Sequence, residues 1–193
     1  EAASVYKRQV VQQAPWDAPG DYQGAVNAIK PKTGEIIAMV SKPTFDPNGL
    51  AVHDTDAVID LYNQLLDDPL DPLINRTLAG ALDPPGSTFK LVVASAALES
   101  GKYTSESAFP NPATLTLPET NFAISNADEG TCGSGETATI ATAIRLSCNI
   151  PMAELGAELG YRAILDQAND FGFNESIAVP LASPGSGYAR VLD

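Results

Sequence analysis

Two residues at the head of an apolar segment have the types and the spacing of an activated nucleophile. Ser87 and Lys90 stand three positions apart in the stretch PGSTFK, residues 85–90. A serine hydroxyl is a poor nucleophile at neutral pH and needs a base within hydrogen-bond reach. On a helix, side chains three positions apart share a face with Cβ atoms about 5–6 Å apart, a gap that a lysine can close. The segment therefore predicts a serine nucleophile with an amine base.

The position of this pair at a helix start favours the same chemistry. A helix N-terminus offers free backbone N–H groups and a positive dipole end, both suited to a developing oxyanion. Burial lowers the pKa of a lysine and favours the neutral amine that a base must be. The alternative is that Ser87 is an N-cap and Lys90 a surface residue. Spacing alone does not decide between the catalytic and the structural interpretation, because Ser4 and Lys7 near the N-terminus have the same spacing.

A second polar group, Ser147-Cys148-Asn149, lies 60 residues after Ser87. Asn149 is predicted to be an N-cap, with Ile150 and Pro151 opening the next helix. A capping residue between two helices is held rigidly, which also suits a functional site. The functional interpretation makes Ser147 a proton relay and Asn149 a hydrogen-bond donor to a substrate amide.

The elements that must position these residues follow from hydrophobic periodicity and turn residues. Two strands, 24–29 and 35–41, are expected to form a hairpin around a turn at 31–34. The connection 101–136 is expected to be mostly irregular, with one strand candidate at 113–117. Segment 43–50 and the tail 172–193 are also expected to be irregular. The expected helices are 2–13, 55–66, an apolar and buried 88–100, 137–147, 150–159 and 161–171.

Composition excludes several classes of function. The chain has 193 residues, enough for one domain with a core. Its formal net charge of −13 argues against binding nucleic acid, whose phosphates select basic surfaces. The sequence has no run of 18 apolar residues and no visible signal peptide. One histidine, His53, and two scattered cysteines predict neither a histidine-dependent triad nor a zinc site, and we expect no cofactor and no metal.

Three ordered blocks of this sequence resemble the transpeptidase domain of class B penicillin-binding proteins, most nearly the penicillin-binding protein A type. PPGSTFK followed by SCN is similar to the S-x-x-K and S-x-N motifs of that family. KPKTGEIIAMVSKPTFDPN resembles its first hairpin, and NRTLAGALDPPGSTFKLVVASAALESG resembles the run through its nucleophile helix. TIATAIRLSCNIPMAELGAELG resembles the helix pair around S-x-N, so the similarity covers nearly the whole chain.

The resemblance implies an α/β (α+β) fold of the penicillin-binding protein and serine β-lactamase type, an antiparallel sheet with helices that is incomplete in this chain. Residues 1–193 would be the N-terminal part of a transpeptidase domain, with a hairpin at 23–41, a nucleophile helix at 87–100 and an S-x-N helix pair at 137–159. The family's K-[TS]-G triplet lies on a strand after S-x-N. Lys32-Thr33-Gly34 spells that triplet but precedes the nucleophile in a hairpin turn, and no other copy follows Asn149. We therefore expect the part bearing K-T-G to be absent and this chain alone to be acylated poorly or not at all.

Carried over to this sequence, the resemblance implies a role for each motif residue. Ser87 would attack the penultimate D-Ala carbonyl of a peptidoglycan stem peptide, and its backbone N–H would form half of the oxyanion hole. Lys90 would accept the serine proton, Ser147 would pass a proton to the leaving amine, and Asn149 would bind the amide of the substrate or of a β-lactam. The implied protein is a peptidoglycan D,D-transpeptidase of cell wall cross-linking that is acylated by penicillin. It would lie at the extracytoplasmic face of the bacterial membrane, anchored outside this chain, with cell-division proteins as candidate partners.

Alternatives within the fold are a serine β-lactamase and a β-lactam sensor domain. The class A β-lactamase pattern E-x-x-x-N is absent from the sequence, which leaves lysine-based deacylation open. The hairpin and NRT…PPGSTFK blocks favour the biosynthetic enzyme over the sensor, and an α/β domain with accidental motifs is the remaining alternative. In an envelope protein Cys132 and Cys148 can form a disulfide, worth about 3 kcal/mol in the chain-entropy model. The alternative is a buried thiol at Cys148 and an exposed one at Cys132.

Overall fold

The computed structural model describes residues 22–78, 84–117 and 120–175. The helix expected at 2–13, with Ser4 and Lys7, and most of the tail lie outside the described residues. The described residues form two compact units, residues 22–78 and residues 84–117 with 120–175. The described residues have antiparallel strands together with helices, so the predicted α+β class is confirmed.

The first unit is built on the predicted β-hairpin. Strand β1 (Gly24–Ile29) pairs antiparallel with β2 (Ile36–Lys42), and Val26 lies opposite Val40. The turn between them needs a left-handed residue, which Gly34 supplies at φ +70°. Lys32 and Thr33, which spell the first two letters of the K-T-G triplet, belong to this turn. The turn position explains why that triplet cannot serve as a strand motif.

The rest of the first unit is a helix and an irregular segment. A 3₁₀ turn (Pro47–Leu50) occupies part of the stretch expected to be loop. Helix α1 (Thr55–Leu66) has the predicted bounds, and the Asp54 side chain caps it by accepting from the Ala57 N–H at 3.2 Å. Ser41 Oγ on β2 donates to Ile74 O, which ties the following Asp/Pro segment to the hairpin.

Four helices form the framework of the second unit. Helix α2 (Lys90–Glu99) follows a 3₁₀ turn (Gly86–Phe89) and packs against α4 (Ile150–Leu159) and α5 (Tyr161–Asp170). The short helix α3 (Ile140–Leu146) precedes α4. Helices α2, α3 and α4 share a hydrophobic core. Each large apolar side chain buried there contributes about 1.5–3 kcal/mol to the stability of the fold. The core residues are Ala94, Ala97, Phe109, Cys132, Ile140, Ala143, Cys148, Met152 and Leu155.

Helix α2 is buried over much of its surface. Val92, Ala94 and Ala97 are buried, whereas Leu91 is 54% exposed and Leu98 is 46% exposed. The expected burial of this apolar helix is therefore confirmed at most core positions but not at Leu91 and Leu98. Apolar composition predicted burial, but the neighbours that α2 contacts decide which side is covered.

The described part of the connection 101–136 is mostly irregular, as expected, and a strand lies within the candidate 113–117, but two further short strands of the connection were not predicted. Strand β3 (Ala108–Pro110) pairs with β6 (Thr137–Thr139), and β4 (Thr114–Thr116) pairs with β5 (Ala123–Ser125). Strands of three residues show too few alternations to be read from sequence, and their pairing depends on distant partners. The helix expected from 137 begins at Ile140 instead.

The later start of α3 has a local cause. Thr139 is extended, and its side chain accepts from the Thr142 N–H at 3.1 Å, an N-cap that ends β6 and begins the helix. Within the described residues, no helix is long and apolar enough to cross a membrane.

Candidate active site

Ser87 lies on the 3₁₀ turn that leads into α2. Gly86 adopts φ +57°, a conformation that favours glycine, directly before the serine. The cap position of the turn is Pro85, with no side-chain capping bond, so Ser87 is not an N-cap. Its exposed hydroxyl Oγ lies 3.1 Å from Lys90 Nζ. The turn therefore presents Ser87 to the amine rather than to the helix backbone.

Lys90 brings the two sequence motifs together. Its Nζ donates to Ser147 O and to Asn149 Oδ1, each at 2.6 Å. The Ser147 hydroxyl lies 3.1 Å from the same nitrogen. All four candidate residues thus meet around one amine, although Ser147 and Asn149 are 57 and 59 residues away from Lys90 in sequence.

The partners of Lys90 suit an ammonium, which donates three N–H groups, and they can also be satisfied by a neutral amine. The Ser147 carbonyl and the Asn149 Oδ1 can only accept, so each requires one N–H from the lysine. A neutral amine has two N–H groups and one lone pair. With both N–H groups used, the lone pair is available to a hydroxyl, which can donate from Ser87. The geometry therefore allows Lys90 to take the Ser87 proton.

Burial shifts the pKa of Lys90 in the direction that a general base needs. Desolvation of the half-buried amine lowers the pKa of Lys90 below its ordinary value of 10.5. The lower pKa increases the fraction of neutral amine at neutral pH. The predicted direction of the shift agrees with the structure.

An unusual backbone conformation aims Ser147 at the lysine. Ser147 ends α3 in the left-handed region, with φ 57° and ψ 41°. A non-glycine residue there costs about 1–2 kcal/mol, and such strain is often found at functional sites. The following N–H, of Cys148, donates to Ala143 O at 2.9 Å. The turn directs both the carbonyl and the hydroxyl of Ser147 toward Lys90.

Asn149 occupies the N-cap position of α4, as predicted, but its side chain makes no capping bond. The Oδ1 accepts from Lys90, and Nδ2 donates to the carbonyl of Ser125 at 2.8 Å. The expectation of a side-chain cap is therefore wrong, because partners from two other elements hold the amide. The cap comes from Asn126, whose Oδ1 accepts from the N–H groups of Asn149 and Ile150.

Ser125 and Asn126 are site residues that the sequence did not reveal. They follow one another at the end of β5, inside the connection that was expected to be irregular. No local signal distinguishes them from the other polar residues of that stretch. Their role depends on the fold that brings the end of β5 beside the start of α4.

A disulfide links Cys132 to Cys148, with Cα atoms 5.5 Å apart. Cys148 is fully buried and stands between Ser147 and Asn149, so the bridge attaches the connection to the site turn. The buried Asn111 holds the other end, accepting from the Cys132 N–H and donating to the Cys132 carbonyl, both at 2.9 Å.

The other candidates considered from sequence are not among the residues described around Lys90. His53 and the Lys32–Gly34 triplet belong to the first unit, and Ser4 and Lys7 fall outside the described residues. Among residues 22–78, 84–117 and 120–175, no group of His, Cys, Asp and Glu could hold a metal ion.

The sequence of this chain was compared with known protein families and proteins. A family model described as the penicillin binding protein transpeptidase domain matches residues 24–190. The peptidoglycan D,D-transpeptidase PbpA of Mycolicibacterium smegmatis is 39% identical over 189 residues, covering 95% of this chain and 38% of that relative. The PbpA of Mycobacterium tuberculosis is 37% identical over 169 residues, covering 85% of this chain and 34% of the relative.

Solved structures of penicillin-binding proteins are also similar to this chain. Penicillin-binding protein A from M. tuberculosis, solved as an imipenem acyl-enzyme complex, is similar with a TM-score of 0.78 and 33% identity. The similarity covers 89% of this chain and 39% of that one. The D,D-transpeptidase domain of a peptidoglycan glycosyltransferase from Eggerthella lenta is similar with a TM-score of 0.73 and 36% identity, over 90% of this chain. This chain spans less than two fifths of the length of the two PbpA relatives.

Proposed function

This chain belongs to the penicillin-binding protein transpeptidase domain family, and we propose that its complete protein is a peptidoglycan D,D-transpeptidase acylated on Ser87. The observation that carries the proposal is the convergence of Ser87, Ser147 and Asn149 on the Lys90 amine. The names of the relatives support the choice of reaction, since they are peptidoglycan D,D-transpeptidases and β-lactam acyl-enzymes.

The first step is attack by Ser87 Oγ on the penultimate D-Ala carbonyl carbon of a stem peptide. The Ser87 proton moves to the lone pair of Lys90 Nζ, 3.1 Å away. The C–N bond to the terminal D-Ala breaks, and its nitrogen receives a proton through the Ser147 hydroxyl, which is 3.1 Å from the same Nζ. The products are a Ser87 ester and free D-Ala. Lys90 is neutral again after this transfer.

The second step moves the acyl group to an amine of another stem peptide. That amine attacks the ester carbonyl and loses a proton toward Lys90, and the Ser87 oxygen leaves and regains a proton. The new amide bond is the cross-link. Because Lys90 serves as base and then as acid in each step, its lowered pKa suits both directions of proton transfer.

Asn149 is proposed to bind the substrate with the N–H that Ser125 does not use. An amide nitrogen carries two hydrogens, and one of them is donated to the Ser125 carbonyl. The second is available for a carbonyl of the stem peptide or of a β-lactam side chain. The Ser87 N–H is proposed as one oxyanion donor. The role of a K-[TS]-G strand as the second donor, and the assignment of residues 1–193 to the N-terminal part of the domain, stay predictions.

The setting of the protein follows from its proposed substrate. Peptidoglycan and β-lactams are encountered at the extracytoplasmic face of the cell membrane, so we place the protein there, with an anchor carried outside this chain. Cell-division proteins are proposed partners of the complete protein.

Labelling with fluorescent penicillin tests the proposal. The complete protein should form a stable covalent adduct on the peptide that contains Ser87. Ser87→Ala should abolish the adduct, and Lys90→Ala should slow its formation by about 10²–10⁴-fold, the usual contribution of a general base. Ser4→Ala is the matched control, because Ser4 and Lys7 have the same spacing without the second motif.

Three outcomes would contradict the proposal. Absence of an adduct in the wild-type complete protein, or an adduct on another serine, would reject Ser87 as the nucleophile. Loss of the adduct by hydrolysis within seconds would favour a serine β-lactamase instead.

A further inference from the structure

Asn126 is a buried side chain whose amide oxygen serves the start of α4. It is 4% exposed. Its Oδ1 accepts from the Asn149 N–H at 2.9 Å and from the Ile150 N–H at 3.3 Å. Its Nδ2 donates to Gly130 O at 2.9 Å, which fixes the orientation of the amide. A side chain 23 residues before Asn149 therefore performs the capping that a helix normally obtains from its own first residue.

We propose that Asn126 is a positioning residue for the transpeptidase reaction, because it caps α4 from outside and leaves the Asn149 side chain to hold Lys90. The inference rests on the proposed function, since it gives Asn126 a role in the same site. Asn126 makes no contact with the reacting atoms and acts through Asn149.

The two tasks that Asn149 could perform exclude one another. As an N-cap, its Oδ1 would accept from the N–H two or three residues further along. Pro151 has no N–H, so the target would be that of Met152. An oxygen turned toward Met152 would face into α4 and could not hold the Lys90 amine at 2.6 Å. Asn126 instead supplies an acceptor for the Asn149 and Ile150 N–H groups, so the start of α4 is held while Asn149 Oδ1 stays on Lys90.

The residue before Asn126 completes the support. The Ser125 carbonyl accepts from Asn149 Nδ2, while Asn126 Oδ1 accepts from the Asn149 backbone. The consecutive residues at the end of β5 thus fix the backbone and the side chain of Asn149 together. With Nδ2 held, Oδ1 is left pointing at Lys90. Loss of Asn126 is expected to free the Asn149 backbone and misplace this oxygen.

Asn111 provides a matched control for Asn126. It is also a buried asparagine, 1% exposed, and it also makes three side-chain hydrogen bonds. Its partners are the N–H and carbonyl of Cys132 and the carbonyl of Gly135, and none of them is a candidate catalytic residue. Removing Asn111 therefore costs a similar set of buried contacts without uncapping α4.

The experiment compares Asn126→Ala, Asn126→Asp and Asn111→Ala in the complete protein. The first readout is the second-order rate constant of labelling by fluorescent penicillin. The alanine at 126 should lower it by about 10–100-fold, the scale on which a misplacement near 1 Å acts. Asn126→Asp keeps an oxygen for both N–H groups but loses the donor to Gly130 O, so it should restore the rate only in part. Asn111→Ala should lose much less of the labelling rate than Asn126→Ala even if its melting temperature falls as far, because it reaches the site only through the disulfide.

The second readout does not depend on activity. Hydrogen exchange of the Asn149 and Ile150 amides should accelerate in Asn126→Ala, less in Asn126→Asp, and not in Asn111→Ala. Equal loss of labelling in both alanine variants, or unchanged exchange at residues 149 and 150 in Asn126→Ala, would overturn the positioning role. If the wild-type protein does not label but exchange at residues 149 and 150 changes as expected in Asn126→Ala, the proposed function is rejected. The capping of α4 by Asn126 is then still supported.

Discussion

The disulfide between Cys132 and Cys148 allows a quantitative prediction of stability, with reduction as the perturbation. The 193 residues contain these two cysteines, so a reductant has one target within this part of the protein. Reduction keeps both sulfur atoms in the core and removes only the cross-link. The comparison of oxidised and reduced protein therefore isolates the effect of closing the loop.

The magnitude follows from the length of the closed loop. Cys132 and Cys148 are 16 residues apart, and the loop encloses β6 and α3. In the chain-entropy model a loop of this size removes about 10 cal/mol/K from the unfolded chain, or about 3 kcal/mol at 25 °C. In a domain of this size, 1 kcal/mol shifts the melting temperature by about 2–4 °C. Reduction should therefore lower the melting temperature of the domain by about 6–12 °C.

Calorimetry of the complete protein with and without reductant measures this shift. The control is a Cys132→Ala/Cys148→Ala variant, which should melt below the reduced wild type because it also loses two buried sulfur atoms. Its melting temperature should not respond to reductant. A shift below about 2 °C in the wild type, or an equal response in the double variant, would refute loop closure as the source of the stabilisation.

Three further predictions concern the site and its supports. The rate of penicillin labelling should rise with pH as Lys90 loses its proton, and the midpoint should lie below 10.5 because burial lowers the pKa; a midpoint at or above 10.5 would contradict this. Thr139→Ala should lower the free energy of unfolding by about 1 kcal/mol through loss of the α3 cap, whereas the exposed Thr114→Ala should cost less in the same denaturant titration. The isolated 193-residue chain should label with fluorescent penicillin far more slowly than the complete protein, and equal rates would reject the predicted need for a K-[TS]-G strand.

The sequence predicted the parts of the fold whose signal is local. Hairpin β1–β2 and helix α1 follow from alternation, a turn glycine and an N-cap, all within a few residues of one another. The family was identified from three ordered blocks, and the family model and the relatives confirm it. Strand β4 lies within the predicted candidate 113–117, whereas β3, β5 and β6 were missed because three residues show too few alternations to be read from sequence.

The sequence by itself determined which residues could do chemistry: a serine and a lysine one helical turn apart, and a serine and an asparagine between two helices. Local spacing sets the first distance, since a helix fixes the separation of residues three apart. Only the tertiary structure decided that Lys90 reaches Ser147 and Asn149, because that contact joins α2 to the α3–α4 turn. It also decided that Asn126, and not Asn149, caps α4. Hydrogen-bond partners of a polar side chain depend on which distant groups the fold brings near, and no local pattern encodes them.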